Sequence, residues 1–198
     1  DNGLVLGNHS YSHISIDNVT LDAYKADVLR GEKITKQLLE KRGKKLKYYR
    51  HTQLRTGPTA NIKIELDEFL KKHNYTVAPV TLDNNEYIFA AIYARAKSEN
   101  DTSMMKTVSS AYLKYMEEIV KHFEKLSLDF LGYEIKQILL LHANLLNTDH
   151  LNELIKMFQD RNYKFISLDE ALKDNAYRLE EATVKKGLSW LHRWMLAK

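Results

Sequence analysis

The sequence predicts an α/β fold with a mainly parallel sheet, open or closed into a barrel. Three observations predict it. Short apolar runs without polar alternation, such as Ile138-Leu139-Leu140-Leu141, read as strands buried on both faces. Longer segments with apolar residues at helical spacing lie between them. The two kinds of segment alternate repeatedly, which is the order in which strand–helix units build a parallel sheet. The 198 residues, 44% apolar and 28% charged, suit one domain with a sizeable core. Only 7 Gly and 2 Pro punctuate the chain, no Ser- or Pro-rich linker divides it, and no repeat of about 20–50 residues occurs, so residues 1–198 read as a single domain.

The elements follow in order. Asp1-Asn2-Gly3 opens the chain on a turn-like dipeptide, and Leu4-Val5-Leu6 is a short strand. Thr20 caps a helix carrying Leu21, Tyr24, Val28, Ile34 and Leu38, which ends near Arg42-Gly43. Residues 46–50 read as a strand, followed by a helix with Ile62, Leu66, Phe69 and Leu70 on one face. Residues 75–80 form the next strand, stopping before Asp83-Asn84-Asn85-Glu86. The longest helix spans about residues 98–126, with Met105, Val108, Tyr112, Tyr115, Ile119 and Phe123 as its apolar stripe. Residues 137–142 make a buried strand. Thr148 caps a helix with Leu151, Leu154, Ile155 and Phe158, and residues 163–166 give the final strand.

Composition excludes several classes of function. With 0 Cys there is no disulfide scaffold, thiolate zinc site or cysteine nucleophile. The net charge of +4 is mildly basic and spread along the chain. The densest basic run, Lys41-Arg42-Gly43-Lys44-Lys45, sits at a helix end, where cations complement the dipole. No aromatic platform interleaves with it, so nucleic acid is not an expected partner. No apolar run approaches the about 18 residues of a membrane span, and the first residues do not read as a signal peptide.

In α/β folds the chemistry gathers at the carboxyl ends of strands, and four constellations sit there. Gly7-Asn8-His9-Ser10-Tyr11-Ser12-His13 places two imidazoles four residues apart. If the segment is helical, both lie on one face and reach one metal ion. His142 closes an apolar strand and faces either a cleft, as a proton-transfer group, or the core, as a satisfied imidazole. Tyr48-Tyr49-Arg50-His51 puts at a strand end an Arg able to hold a carboxylate. Asp83-Asn84-Asn85-Glu86-Tyr87 is either an acidic–aromatic loop or a solvated turn.

Taken in order, these motifs resemble the polysaccharide deacetylase family, the NodB-homology domain of carbohydrate esterase family four. The segment 7–13 is similar to that family's metal-binding motif. Leu139-Leu140-Leu141-His142, with Thr148 and Leu151 beyond it, is similar to its last motif. Asp83 to Tyr87 resembles its Asp-x-x-Asp-Trp loop, with Glu86 and Tyr87 as substitutes, and Leu188-Ser189-Trp190-Leu191-His192-Arg193-Trp194 resembles the tail of a bacterial subgroup. The resemblance implies a distorted (β/α) barrel that removes acetyl groups from N-acetylglucosamine polymers, such as chitin or peptidoglycan, or from acetylxylan. It implies that His9 and His13 bind a divalent metal, usually zinc, together with an Asp. It makes His142 the general acid, tuned by Glu86 or Asp83. Arg50 would orient the base, Leu140 would line the acetyl-methyl pocket, and the Tyr87 ring would meet substrate. Export to the periplasm or outside the cell follows from substrates of this kind.

The departures from the family pattern shape two expectations. The family's adjacent Asp pair, ligand and base, lies in a first strand upstream of the HxxxH motif, and only eight residues precede His9. The chain therefore reads as a barrel lacking its first strand–helix units, about 40–60 residues. An exposed sheet edge would then favour a homo-oligomer. His51-Thr52-Gln53 also departs from the family's loop after Arg50. The parent protein is expected to be a deacetylase. The alternative is a non-catalytic descendant that binds glycan or a protein partner, motivated by these substitutions and by 12 Tyr, whose faces stack on sugar rings.

Overall fold

The computed structural model describes residues 4–198, so the turn read at Asn2-Gly3 lies outside the described residues. Helix accounts for 58% of the structure and strand for 4%, with seven helices and one two-stranded parallel sheet among the described residues. This overturns the expected α/β class and its distorted (β/α) barrel. The physical reason lies in the short apolar runs, which resemble full strands in sequence alone. A strand needs lateral partners along its length, and these runs find partners for two residues at most. Leu4, Val5 and Leu6 are 77%, 68% and 44% exposed and form no strand. Residues 137–142 contribute a single bridge, between Leu139 and Leu82. Residues 163–166 form no strand either, and leave Phe165 and Ile166 exposed.

The chain groups into two compact units, one comprising the residues up to Pro79 together with Glu180–Lys198, the other Val80–Leu179. In the first unit, helix α1 (Leu21–Glu40) begins at Thr20, whose hydroxyl accepts from the Ala23 amide. Its buried face is Tyr24, Val28, Glu32 and Leu39. Ile34 and Leu38, read from the sequence as part of the stripe, are exposed. Strand β1 (Tyr48–Tyr49) precedes helix α2 (Ala60–Lys72), which Thr59 caps and which buries Leu66 and Leu70. Strand β2 (Thr76–Val77) pairs with β1 in parallel, Tyr48 opposite Thr76 and Tyr49 opposite Val77. Asn8 makes a parallel bridge to Tyr49, so three extended segments lie side by side around β1. Beneath them Ile16, Tyr24, Val28, Tyr49, Leu66, Leu70 and Tyr75 form the core.

The second unit is built from α3 (Glu86–Ser98), α4 (Thr102–Leu131), α5 (Leu145–Asp160) and the short α6 (Leu168–Ala171). Asp101 caps α4 by accepting from the Met104 amide, and Gly132, at φ 80°, ends it in the left-handed region that glycine adopts freely. Its buried stripe is Val108, Tyr112, Met116, Val120 and Phe123, facing Ala90, Tyr93 and Ala96 of α3 and Leu154 and Phe158 of α5. Asn144, rather than Thr148, caps α5, and the Thr148 hydroxyl donates back to the Asn144 carbonyl. The chain closes on α7 (Trp190–Ala197), part of the first unit, with Trp190, Leu191, Arg193 and Trp194 buried. Among the described residues no helix is long and apolar enough to cross a membrane.

Candidate functional site

The segment 7–13 is a loop, which corrects the helical premise for His9 and His13. Ser10 and His13 take φ values of 64° and 55°, the left-handed region that side chains other than glycine adopt at a cost. The loop nonetheless brings the two imidazoles together, edge to face, with ring centroids 4.9 Å apart and planes at 72°. His9 Nδ1 lies 2.8 Å from the Arg50 carbonyl. A carbonyl only accepts, so Nδ1 carries a proton and donates it. This is the way metal-binding histidines are commonly oriented.

Buried Asn8 fastens the start of the loop. Its Nδ2 donates to the Val28 carbonyl at 2.9 Å and to the Tyr75 hydroxyl at 2.8 Å, and its Oδ1 accepts from the Ser10 amide at 3.0 Å. Tyr75 in turn donates to Glu32 at 2.5 Å. Burial, together with that bond to Glu32, pushes the Tyr75 phenol above its ordinary range.

Arg50 serves this loop through its backbone, donating its amide to the Asn8 carbonyl at 3.0 Å and offering its carbonyl to His9. Its half-buried side chain donates from Nε to the Ala78 carbonyl at 3.3 Å, and burial lowers its pKa. The next residue, His51, is fully buried between Tyr49 and Trp190, with Nδ1 lacking a partner. Desolvation, then the charges of Arg193 and Lys63, push this imidazole down from 6.5 to about 3. Gln53 and Leu54 both follow at φ 53°, in a left-handed turn.

The second unit carries the other predicted residues. Glu86, the first residue of α3, is fully buried, and His142 Nδ1 donates to its Oε1. The same oxygen accepts from the His142 amide at 3.1 Å, and Oε2 accepts from Asn144 Nδ2 at 2.9 Å. Of the two expected partners of His142, Glu86 and Asp83, Glu86 is the one in contact. Asp83 feels His142 only through space. Burial raises its carboxyl, against the lowering effects of the Asn84 amide and the His142 charge. Tyr87 is 55% exposed, with its ring edge-on to His142 at 6.5 Å. Leu140 is held by its backbone, donating to the Leu82 carbonyl and accepting from Asn84 Nδ2, with its side chain half-buried.

Sequence reasoning missed the two asparagines that hold this pair. Asn144 braces Glu86, and Asn147 Nδ2 donates to the His142 carbonyl at 2.8 Å while its Oδ1 accepts from Tyr112 at 2.6 Å. The available signal was a cap: an Asn two residues after His142 and directly before Leu145-Leu146.

Among the described residues no three His, Cys, Asp or Glu side chains gather to hold a metal ion. The donor set offered by the loop is the His9–His13 imidazole pair. That suits zinc in kind and is one donor short of the protein set of catalytic zinc. What the fold defines is a helical protein with a paired-imidazole loop in one unit and an imidazole–carboxylate pair in the other. No protein-family model matches the chain, and neither curated proteins nor solved structures give a match.

Proposed function

We propose that the protein is a metal-dependent hydrolase that removes acetyl groups from an acetylated polysaccharide or oligosaccharide, as polysaccharide deacetylases do. The observation that carries this reading is the meeting of His9 and His13 in a loop where neither helix nor core packing calls for it. In the first unit the two imidazoles are the protein's ligands for a divalent ion, zinc by the chemistry of the donors. Such an ion would polarise an acetyl carbonyl and acidify water. In the second unit His142 is a proton donor in its own right. Glu86 holds Nδ1, so Nε2 points away from the carboxylate on a side chain that is half exposed. From there it can give a proton to a departing amine nitrogen or sugar oxygen. The buried carboxylate keeps the ring in one orientation, as a third group does for the base in nucleophile–base pairs. Polymers of this kind lie outside the cytoplasm, and export belongs to the same proposal.

The test is acetate release from N-acetylglucosamine oligomers and from acetylxylan with zinc added. Release is expected, falling about 10²–10⁴-fold in His142→Ala. No release from either substrate would overturn the proposal. Two exposed rings, Tyr11 and Tyr87, at 57% and 55%, favour a second reading, a non-catalytic glycan binder. Retention of oligosaccharide without acetate release would establish that one instead.

A further inference from the structure

The His9–His13 loop leans on one face of α1. Asp27, Arg30 and Gly31 stand three and four residues apart, so they share that face. The Asp27 carboxylate accepts from the Tyr11 amide at 3.1 Å and the Ser12 amide at 3.1 Å through Oδ2. Its Oδ1 accepts from the Ser12 hydroxyl at 2.7 Å. Burial raises the Asp27 carboxyl, but these donors outweigh it and leave the group below its ordinary range. The Arg30 guanidinium lies over the Tyr11 ring at 3.6 Å. Gly31 meets the loop backbone itself. A Cβ there would collide with the carbonyl carbon and oxygen of Ser10 and come within 2.8 Å of the Tyr11 nitrogen. The Ser10 hydroxyl accepts from the His13 amide at 3.0 Å, and this span contains both left-handed residues, Ser10 and His13.

A seven-residue loop with two backbone positions at unfavourable φ keeps such a shape only when its surroundings over-determine it. Here the surroundings are a carboxylate that collects two consecutive amides and a hydroxyl, and a glycine that lets the loop touch the helix. These contacts are to Ser10, Tyr11 and Ser12. Their effect is on where the His13 backbone sits relative to His9, and therefore on whether the two rings meet.

We infer that Asp27 and Gly31 are positioning residues for the His9–His13 pair, clamping residues 10–12 onto α1 so that the two imidazoles converge on one cation. The inference rests on the metal reading of that pair, and its test separates the two. Zinc affinity is measured by calorimetry for the unaltered chain and for Asp27→Ala, Asp27→Asn, Gly31→Ala and, as a control on the same helix, the exposed Asp22→Ala. The histidine ring resonances of each are recorded without metal. Asp27→Ala and Gly31→Ala are expected to weaken zinc about 10–100-fold and to move the His9 and His13 ring signals toward those of isolated histidine, because the edge-to-face contact is lost. Asp22→Ala should change neither.

Circular dichroism confirms that each variant is folded. Asp27→Asn keeps the side chain's size while weakening its acceptor capacity, and supplies the answer if Asp27→Ala does not fold. If Asp27→Ala and Gly31→Ala keep both the zinc affinity and the ring signals of the unaltered chain, the clamp is refuted. If the unaltered chain takes up no zinc, the metal reading fails, and the ring signals alone decide whether Asp27 and Gly31 set the geometry of the pair.

Discussion

Glu86 has no exposed surface, and its burial is tolerable because three donors satisfy it at the N-terminus of α3: the His142 ring, the His142 amide and Asn144 Nδ2. Glu86→Gln keeps the shape but turns one acceptor into a donor facing other donors. We expect it to lower stability by about 2 kcal/mol in urea unfolding, and to cut acetate release along with it as the His142 ring loses its orientation. His51 supplies a separate residue-scale prediction. Its folded pKa, about 3, lies below its ordinary 6.5, so the folded state binds this proton more weakly than the unfolded chain. The stability due to keeping it neutral is complete above pH 6.5 and is lost as pH falls toward 3, at up to about 1.4 kcal/mol per pH unit. His51→Phe should flatten the acid limb of a stability–pH curve; an unchanged acid limb would remove His51 as its cause. Glu86 was legible in the sequence because an acid in a polar stretch after a strand-like run attracts notice. Asn144 and Asn147 were not, since an amide's role as a brace depends on what folds against it.

Among the elements, α7 shows how a buried cation can act as a tie. Arg193 donates to the Thr56 hydroxyl at 3.1 Å and to the carbonyls of Leu54, Ala182 and Lys186 at 2.8–3.3 Å, with its guanidinium by the Trp190 ring. It thereby joins the left-handed turn at Gln53 and Leu54 to the chain leading into α7. Arg193→Ala removes four donated bonds and strands buried carbonyls. We expect a loss of about 3 kcal/mol or more, read as a lower midpoint in urea. The helices that the sequence announced, α1, α2, α4 and α5, are those with long runs at helical spacing and a capping Thr, Asp or Asn. Helix α3 was missed because Tyr87-Ile88-Phe89-Ala90-Ala91-Ile92-Tyr93 is apolar all round and shows no stripe. Only Ala90, Tyr93 and Ala96, with Glu86 at its start, are buried.

At the scale of the whole molecule, the alternation of apolar runs and helices suggested a barrel that the structure does not form. A run such as Ile138-Leu139-Leu140-Leu141 has no periodicity of its own, so nothing within it distinguishes a sheet strand from an extended segment packed against helices. What decides is the supply of neighbours, and that is set by the rest of the fold. The parallel sense of the expected pairing survives in β1 with β2, in the Asn8–Tyr49 bridge and in the Leu82–Leu139 bridge. Two side-chain pairings were more legible than the architecture. His9 and His13 meet, and His142 finds a carboxylate, because each pair is assembled by short loops and helix ends whose residues carry the signal themselves. The claim on which the functional account depends is that the imidazole pair takes a cation, and calorimetric titration of zinc tests it most directly. The account predicts one-to-one binding that His13→Ala abolishes. Binding of equal strength in His13→Ala, or none in the unaltered chain, would contradict it.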